Sequence, residues 1–174
     1  MRAASRLILF VLTIGILAVP ALAQSTSEII GDYQAWLALT YKEDGGHVCY
    51  MSSSPEKWTS EPKNVRRGDI NIMVTHNQGR GVKDEVSIYT GYAYKKSSEV
   101  TLAIDGQDFE LFTDGDSAWA RDAKTDRKLV QAMVRGNSMV VRGTSSRGTL
   151  TIDTYSLSGF TAARNAINKA CKIR

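Results

Sequence analysis

A mainly β, α+β fold follows from the sequence: an antiparallel β-sandwich or an incomplete barrel carrying two helices, the second at the C-terminus. Three features predict it. Short runs alternate apolar and polar residues, as between Asp69 and His76 through Ile70, Ile72 and Val74. Glycine-bearing turns separate those runs, two of them Asp-Gly pairs. Only two later stretches switch to helical spacing.

The first 23 residues stand apart from that pattern. Arg2 and Arg6 are followed by an apolar run from Leu7 to Val19, interrupted only by Thr13 and Gly15. Pro20 ends any helix, and Ala21-Leu22-Ala23 sets small residues where a signal peptidase reads. This is the pattern of a cleavable secretory signal, cut between Ala23 and Gln24. A membrane-spanning helix needs roughly 20 apolar residues, which this run does not reach. No later stretch approaches that length, so the mature chain is expected to lack a transmembrane segment. The expected location is the periplasm, with outer-membrane association or secretion as alternatives. Removal leaves residues 24–174 as a single domain. Losing Arg2 and Arg6 takes 22 Lys and Arg to 20 against 18 Asp and Glu, so the net charge falls from +4 to +2. That is too weak to suggest nucleic-acid binding.

Along the mature chain, Ser25 to Ile30 reads as a short, loosely ordered lead-in. From Tyr33 the alternation places Tyr33, Ala35, Leu37, Leu39 and Tyr41 on one strand face and Trp36 on the other. Glu43 to Gly46 is turn chemistry, and Val48 to Met51 reads as the returning strand. Ser52 to Arg67, with Pro55 and Pro62, reads as a loop. Further strands are expected around Ile72, Val86 to Ile88, Val100 to Ile104 and Phe109 to Phe112. Asp105-Gly106 and Asp114-Gly115 predict tight type I′ hairpins, the second leading to Trp119 in the core. Thr125 to Arg135 is helical, capped by Thr125 or Asp126, ended by Gly136 and burying Leu129, Val130, Met133 and Val134. Strands from Met139 to Arg142 and Thr149 to Tyr155 follow. The last helix starts near Ser158, which can cap it, and aligns Phe160, Ala163, Ile167, Ala170 and Cys171.

Outside the cytoplasm two cysteines, Cys49 and Cys171, read as one intramolecular disulfide. Two buried thiols, or pairing between chains, are the alternatives. The mature chain has only His47 and His76, too few for a zinc site unless Cys49 and Cys171 join them, and no metal or other cofactor is expected. Asp114-Gly115-Asp116 lacks the other ligands of a calcium loop. Ser145 and Ser146 lie in a glycine-flanked turn without the Gly-x-Ser-x-Gly pattern of a nucleophile elbow. The expectation is therefore a non-enzymatic protein. Its rival is an envelope hydrolase using Ser145 or Ser146 with a histidine, and a third reading is an envelope stability factor or chaperone.

Interleaved aromatics and cations at Tyr92, Tyr94, Lys95 and Lys96 form a candidate binding surface, because tyrosine combines contact area with a polar tip. The plainer reading is a strand whose tyrosines cover the core edge while its lysines guard the end. Arg142 and Arg147 are a second candidate surface.

The segment Tyr155-Ser-Leu-Ser-Gly-Phe-Thr-Ala-Ala163 resembles the closing Ser-Leu-x-Gly-Phe-x-x-Ala motif of the invasion-associated locus B family. Asp32-Tyr33-x-x-Trp36 and His47-Val48-Cys49-Tyr50 are similar to that family's opening aromatic strand and first cysteine. Many members carry additional cysteines in mid-domain, where Phe109 to Ala120 has none, which marks a divergent subgroup. The resemblance implies an exported bacterial envelope protein with a β-rich fold and no established reaction. Its partner would be an unidentified protein or an envelope or host surface, with a link to host-cell entry.

Overall fold

The computed structural model describes residues 26–173, so the expected signal segment and its cleavage site lie outside the described residues. Within them, the chain runs β1 (Glu28–Tyr33), β2 (Trp36–Glu43), β3 (Gly46–Ser53), β4 (Lys57–Glu61), β5 (Asn71–Asn77) and β6 (Val82–Tyr89). It continues through β7 (Glu99–Ile104), β8 (Gln107–Asp114), β9 (Ser117–Trp119), α1 (Ala123–Arg135), β10 (Ser138–Thr144), β11 (Leu150–Ser156) and α2 (Phe160–Ala170). The strands form one antiparallel sheet in the order β1-β2-β3-β5-β6-β9-β8-β7-β10-β11-β4. It is an incomplete barrel with β1 and β4 as its edges. Near the gap, the Trp36 indole donates to the Ser156 carbonyl at 3.1 Å and the Ala35 amide to that of Ser158 at 3.3 Å. The start of β2 thus meets the end of β11.

Alternation along the strands fills the interior. Ile72 and Val74, Val86 and Ile88, Val100 and Leu102, and Met139 and Val141 are buried; between them Met73, Thr101 and Val140 are half-buried, and Ser87 is buried as well. On α2, Phe160, Ala163 and Ile167 form the buried stripe, and the Phe160 ring stands edge-on to Trp36 at 4.9 Å. Cys171, just past α2, is bonded to Cys49 on β3, with Cα atoms 5.9 Å apart.

Several local expectations are corrected. The single strand expected from Tyr33 to Tyr41 is a hairpin: Tyr33 pairs with Trp36 across a two-residue turn in which Gln34 has φ 61°. The turn reverses the phase, so Trp36 and Ala38 face the core while Leu37 and Leu39 are half-buried on the other side. Its first strand, Glu28–Tyr33, takes in Glu28 to Ile30 of the expected loose lead-in. Inside the expected loop from Ser52 to Arg67, Lys57–Glu61 forms the edge strand β4 against β11. An edge needs hydrogen bonds on one side only, so neither prolines nor charge prevents it.

Asp105-Gly106 does adopt positive φ at both residues, 45° and 91°. The second pair does not: Asp114 closes the ladder with Ser117, and Gly115 is the first turn residue, at φ 59°. Ala118 rather than Trp119 enters the core; Trp119 is half-buried, edge-on to Tyr89. Asp122 caps α1, accepting from the Thr125 amide at 2.7 Å. Asp126 is instead buried, accepting from the Val86 amide at 3.0 Å, and burial pushes its pKa up to about 6. Val134 is 38% exposed. Gly159, not Ser158, precedes α2 as its N-cap.

Candidate binding surface

The candidate cations sit on two segments that are distant in sequence. Arg142 lies on β10, and Arg147 lies in the turn that joins β10 to β11. Ser145 shapes that turn: its amide donates to the Thr149 carbonyl at 2.9 Å, and its hydroxyl accepts from the amides of Thr149 and Arg147 at 3.1 and 3.3 Å. Gly148, at φ 82°, supplies the left-handed residue the reversal requires. Lys95 follows Tyr94 between β6 and β7, and Lys96 opens the turn that leads into β7.

Backbone pairing brings these segments together. Tyr94 bridges to Ser145, the Lys95 amide donates to the Thr144 carbonyl at 2.9 Å, and the Ser146 amide donates to the Ala93 carbonyl at 2.8 Å. The two candidate surfaces are therefore one region. Lys95, Lys96, Arg142 and Arg147 are all exposed, and none of the four takes part in the ion pairs found among the described residues.

The two tyrosines do not belong to the exposed patch. Tyr94 is 5% exposed, and burial raises its pKa well above the usual phenol range. Tyr92 is half-buried, and its hydroxyl meets the Thr151 hydroxyl at 2.6 Å. Alternation explains this: Tyr92 and Tyr94 turn inward while Ala93 and Lys95 turn outward. Gly143 leaves room for the Tyr94 ring, since a Cβ there would stand 2.7 Å from its Cε1 atom.

Beneath the tyrosines lies a pairing that sequence reasoning missed. The Arg67 guanidinium sits 5.3 Å from the Trp58 ring centroid and 5.2 Å from that of Tyr92. It grips both carboxylate oxygens of Asp153, at 2.5 and 2.7 Å, and donates from Nε to the Thr90 carbonyl at 2.9 Å. Both charged side chains are withdrawn from solvent, 2% and 0% exposed. The available signal was Asp153 between Thr151 and Tyr155, on the inward phase of an alternating strand, where a carboxylate requires a cation.

Two of the residues weighed for catalysis, His76 and Ser145, have structural partners for their side chains. His76 is fully buried; Nδ1 accepts from the Asp84 amide at 3.0 Å, and Nε2 lies 2.8 Å from Asn168 Oδ1. The acceptor role of Nδ1 makes Nε2 the protonated nitrogen of the neutral ring. Among the described residues, no hydrogen bond joins either histidine ring to Ser145 or Ser146, and Ser145 is 6% exposed within its turn. No group of three or more His, Cys, Asp or Glu side chains among the described residues is placed to hold a metal ion. No helix among them is long and apolar enough to cross a membrane.

A family model described as "Invasion associated locus B (IalB) protein" matches residues 36–168, from the first residue of β2 into α2. No curated protein matches the chain. No solved structure matches it either.

Proposed function

The chain belongs to the invasion-associated locus B family, and from that premise we propose an exported, non-enzymatic envelope protein that acts by binding a protein or surface partner. The observation that carries the reading is the joining of Lys95 and Lys96 to Arg142 and Arg147 by the Tyr94–Ser145 bridge. Four exposed cations outside the ion pairs found among the described residues attract an anionic partner without first breaking one of those contacts. The leader pattern in residues 1–23 supports export, and the family's association with host-cell entry makes a host or envelope surface the natural counterpart. The engagement of His76 by Asn168 and Asp84, and of Ser145 by its own turn, supports a role without catalysis. Among the described residues, the large exposed apolar side chains, Ile29, Trp58, Val134 and Leu150, are spread over four elements.

The test is capture of partners from envelope extract by the parent protein and by a variant combining Lys95→Glu, Lys96→Glu, Arg142→Glu and Arg147→Glu. Capture is expected to fall at least about tenfold, since like-charge contacts at an interface cost several kcal/mol. The thermal midpoint is expected to stay within a few degrees, because exposed substitutions change stability by only about 0.5 kcal/mol. Equal capture by the two proteins refutes the assignment.

A further inference from the structure

The cationic region borders an apolar groove on the outer face of the sheet. Arg142 is the cross-strand partner of Ile152, and Ile152 that of Thr59; one step along, Thr144 pairs with Leu150 and Leu150 with Glu61. Directly paired residues share a sheet face, so Arg142, Ile152 and Leu150 point to the same side. Leu150 is 38% exposed. With Ile152, Pro62, Lys63, Thr59 and Glu61 it lines an open groove of about 430 Å³. β4 is the last strand of the sheet, so no further strand among the described residues borders the groove on that side.

We propose that this face docks on an anionic lipid bilayer, with Lys63, Lys95, Lys96, Arg142 and Arg147 against phosphate headgroups and the Leu150 groove against the apolar boundary beneath them. The inference rests on the binding role proposed for the four cations and names their counterpart. Three observations favour it. The cations lie on β10, on the turn after it, on the segment before β7 and just past β4, so several segments of the sheet present them rather than one loop. The apolar residues lie among the cations, the pairing of features that holds proteins at a membrane interface. The groove is only partly enclosed, so a lone acyl chain in it would stay partly wet, whereas a bilayer covers it. Glu61 is the one carboxylate lining the groove, and Lys63 lines it too.

The experiment is co-sedimentation with vesicles of phosphatidylcholine alone and of phosphatidylcholine with phosphatidylglycerol. It uses the parent protein, with its N-terminus read by intact mass, and single Lys95→Gln, Lys96→Gln, Arg142→Gln and Arg147→Gln variants. Binding is expected to require phosphatidylglycerol and to weaken with added salt. Each lost cation is expected to weaken it about fivefold. Leu150→Ser, which leaves the charge unchanged, is expected to weaken vesicle binding while leaving retention on heparin, a polyanion without acyl chains, unchanged. Equal binding to both vesicle types, binding insensitive to all four cations, or no binding overturns the bilayer. If vesicles fail but the charge-reversed protein still loses its envelope partner, the binding role stands and the counterpart is an acidic protein. If neither readout depends on the cations, both proposals fall.

Discussion

At His76 both ring nitrogens are already engaged, one by the Asp84 amide and one by Asn168 on α2. Burial lowers the pKa of the ring, opposed by the Asp84 carboxylate and the Asn168 bond and assisted by Arg164 and Lys83. A base depressed in the folded state destabilises it once the unfolded chain begins to take up the proton. The stabilising contribution is therefore complete above about 6.5, the ordinary value for histidine, and is lost as pH falls through it. Asp126 acts in the opposite sense: its raised pKa contributes stability below the ordinary carboxylate range, which is lost as pH rises toward about 6. Urea midpoints at pH 7.5 and 5.5 separate the two effects. The parent is expected to lose more stability on acidification than His76→Gln, because only the parent takes up a proton there; equal losses exclude the assignment. The same scale shows what alternation leaves open. The period of Tyr92, Ala93, Tyr94 and Lys95 is legible in the sequence, whereas the inward phase depends on Arg67, Trp58 and the space left by Gly143.

Among the elements, α2 depends on a close approach at its start. Gly159 has φ 86°, and a Cβ there would lie 1.8 Å from the Tyr33 carbonyl oxygen, at the β1–β2 turn. Ser158 Oγ bonds Gln34 Oε1 in the same contact. Gly159→Ala therefore combines an unfavourable backbone angle with a clash against main chain and is expected to cost about 2–4 kcal/mol. Gly148→Ala is the control, since its φ of 82° is similar but no other atom lies within 4 Å of the added Cβ. Its expected cost is about 1 kcal/mol. Denaturant unfolding of both variants checks the difference, and equal costs would show that the Tyr33 contact contributes nothing. The amphipathic stripes of α1 and α2 were legible because helical spacing is local, and so was the type I′ turn at Asp105-Gly106. The β1–β2 turn was not, since Gln34-Ala35 lacks the glycine or asparagine that usually marks one and its geometry is held by contact with α2.

For the molecule as a whole, the Cys49–Cys171 bond ties β3 to the end of the chain across 122 residues of sequence. In the chain-entropy view, closing so long a loop removes about 4–5 kcal/mol of freedom from the unfolded state. Reduction, or the Cys49→Ser, Cys171→Ser double variant, is expected to lower unfolding free energy by that order in urea titrations; an unchanged midpoint would contradict it. By itself the sequence determined the β-rich class, the two helices, the cysteine pair as a bridge to be closed, and the family, because alternation, helical spacing, turn residues and short motifs are local. Only the tertiary structure decided the strand order, the edge strand within the supposed loop, the burial of Arg67 with Asp153, and the union of Lys95 and Lys96 with Arg142 and Arg147. Those features depend on which segments pair across the barrel, and pairing between distant segments is selected by the fit of the whole core.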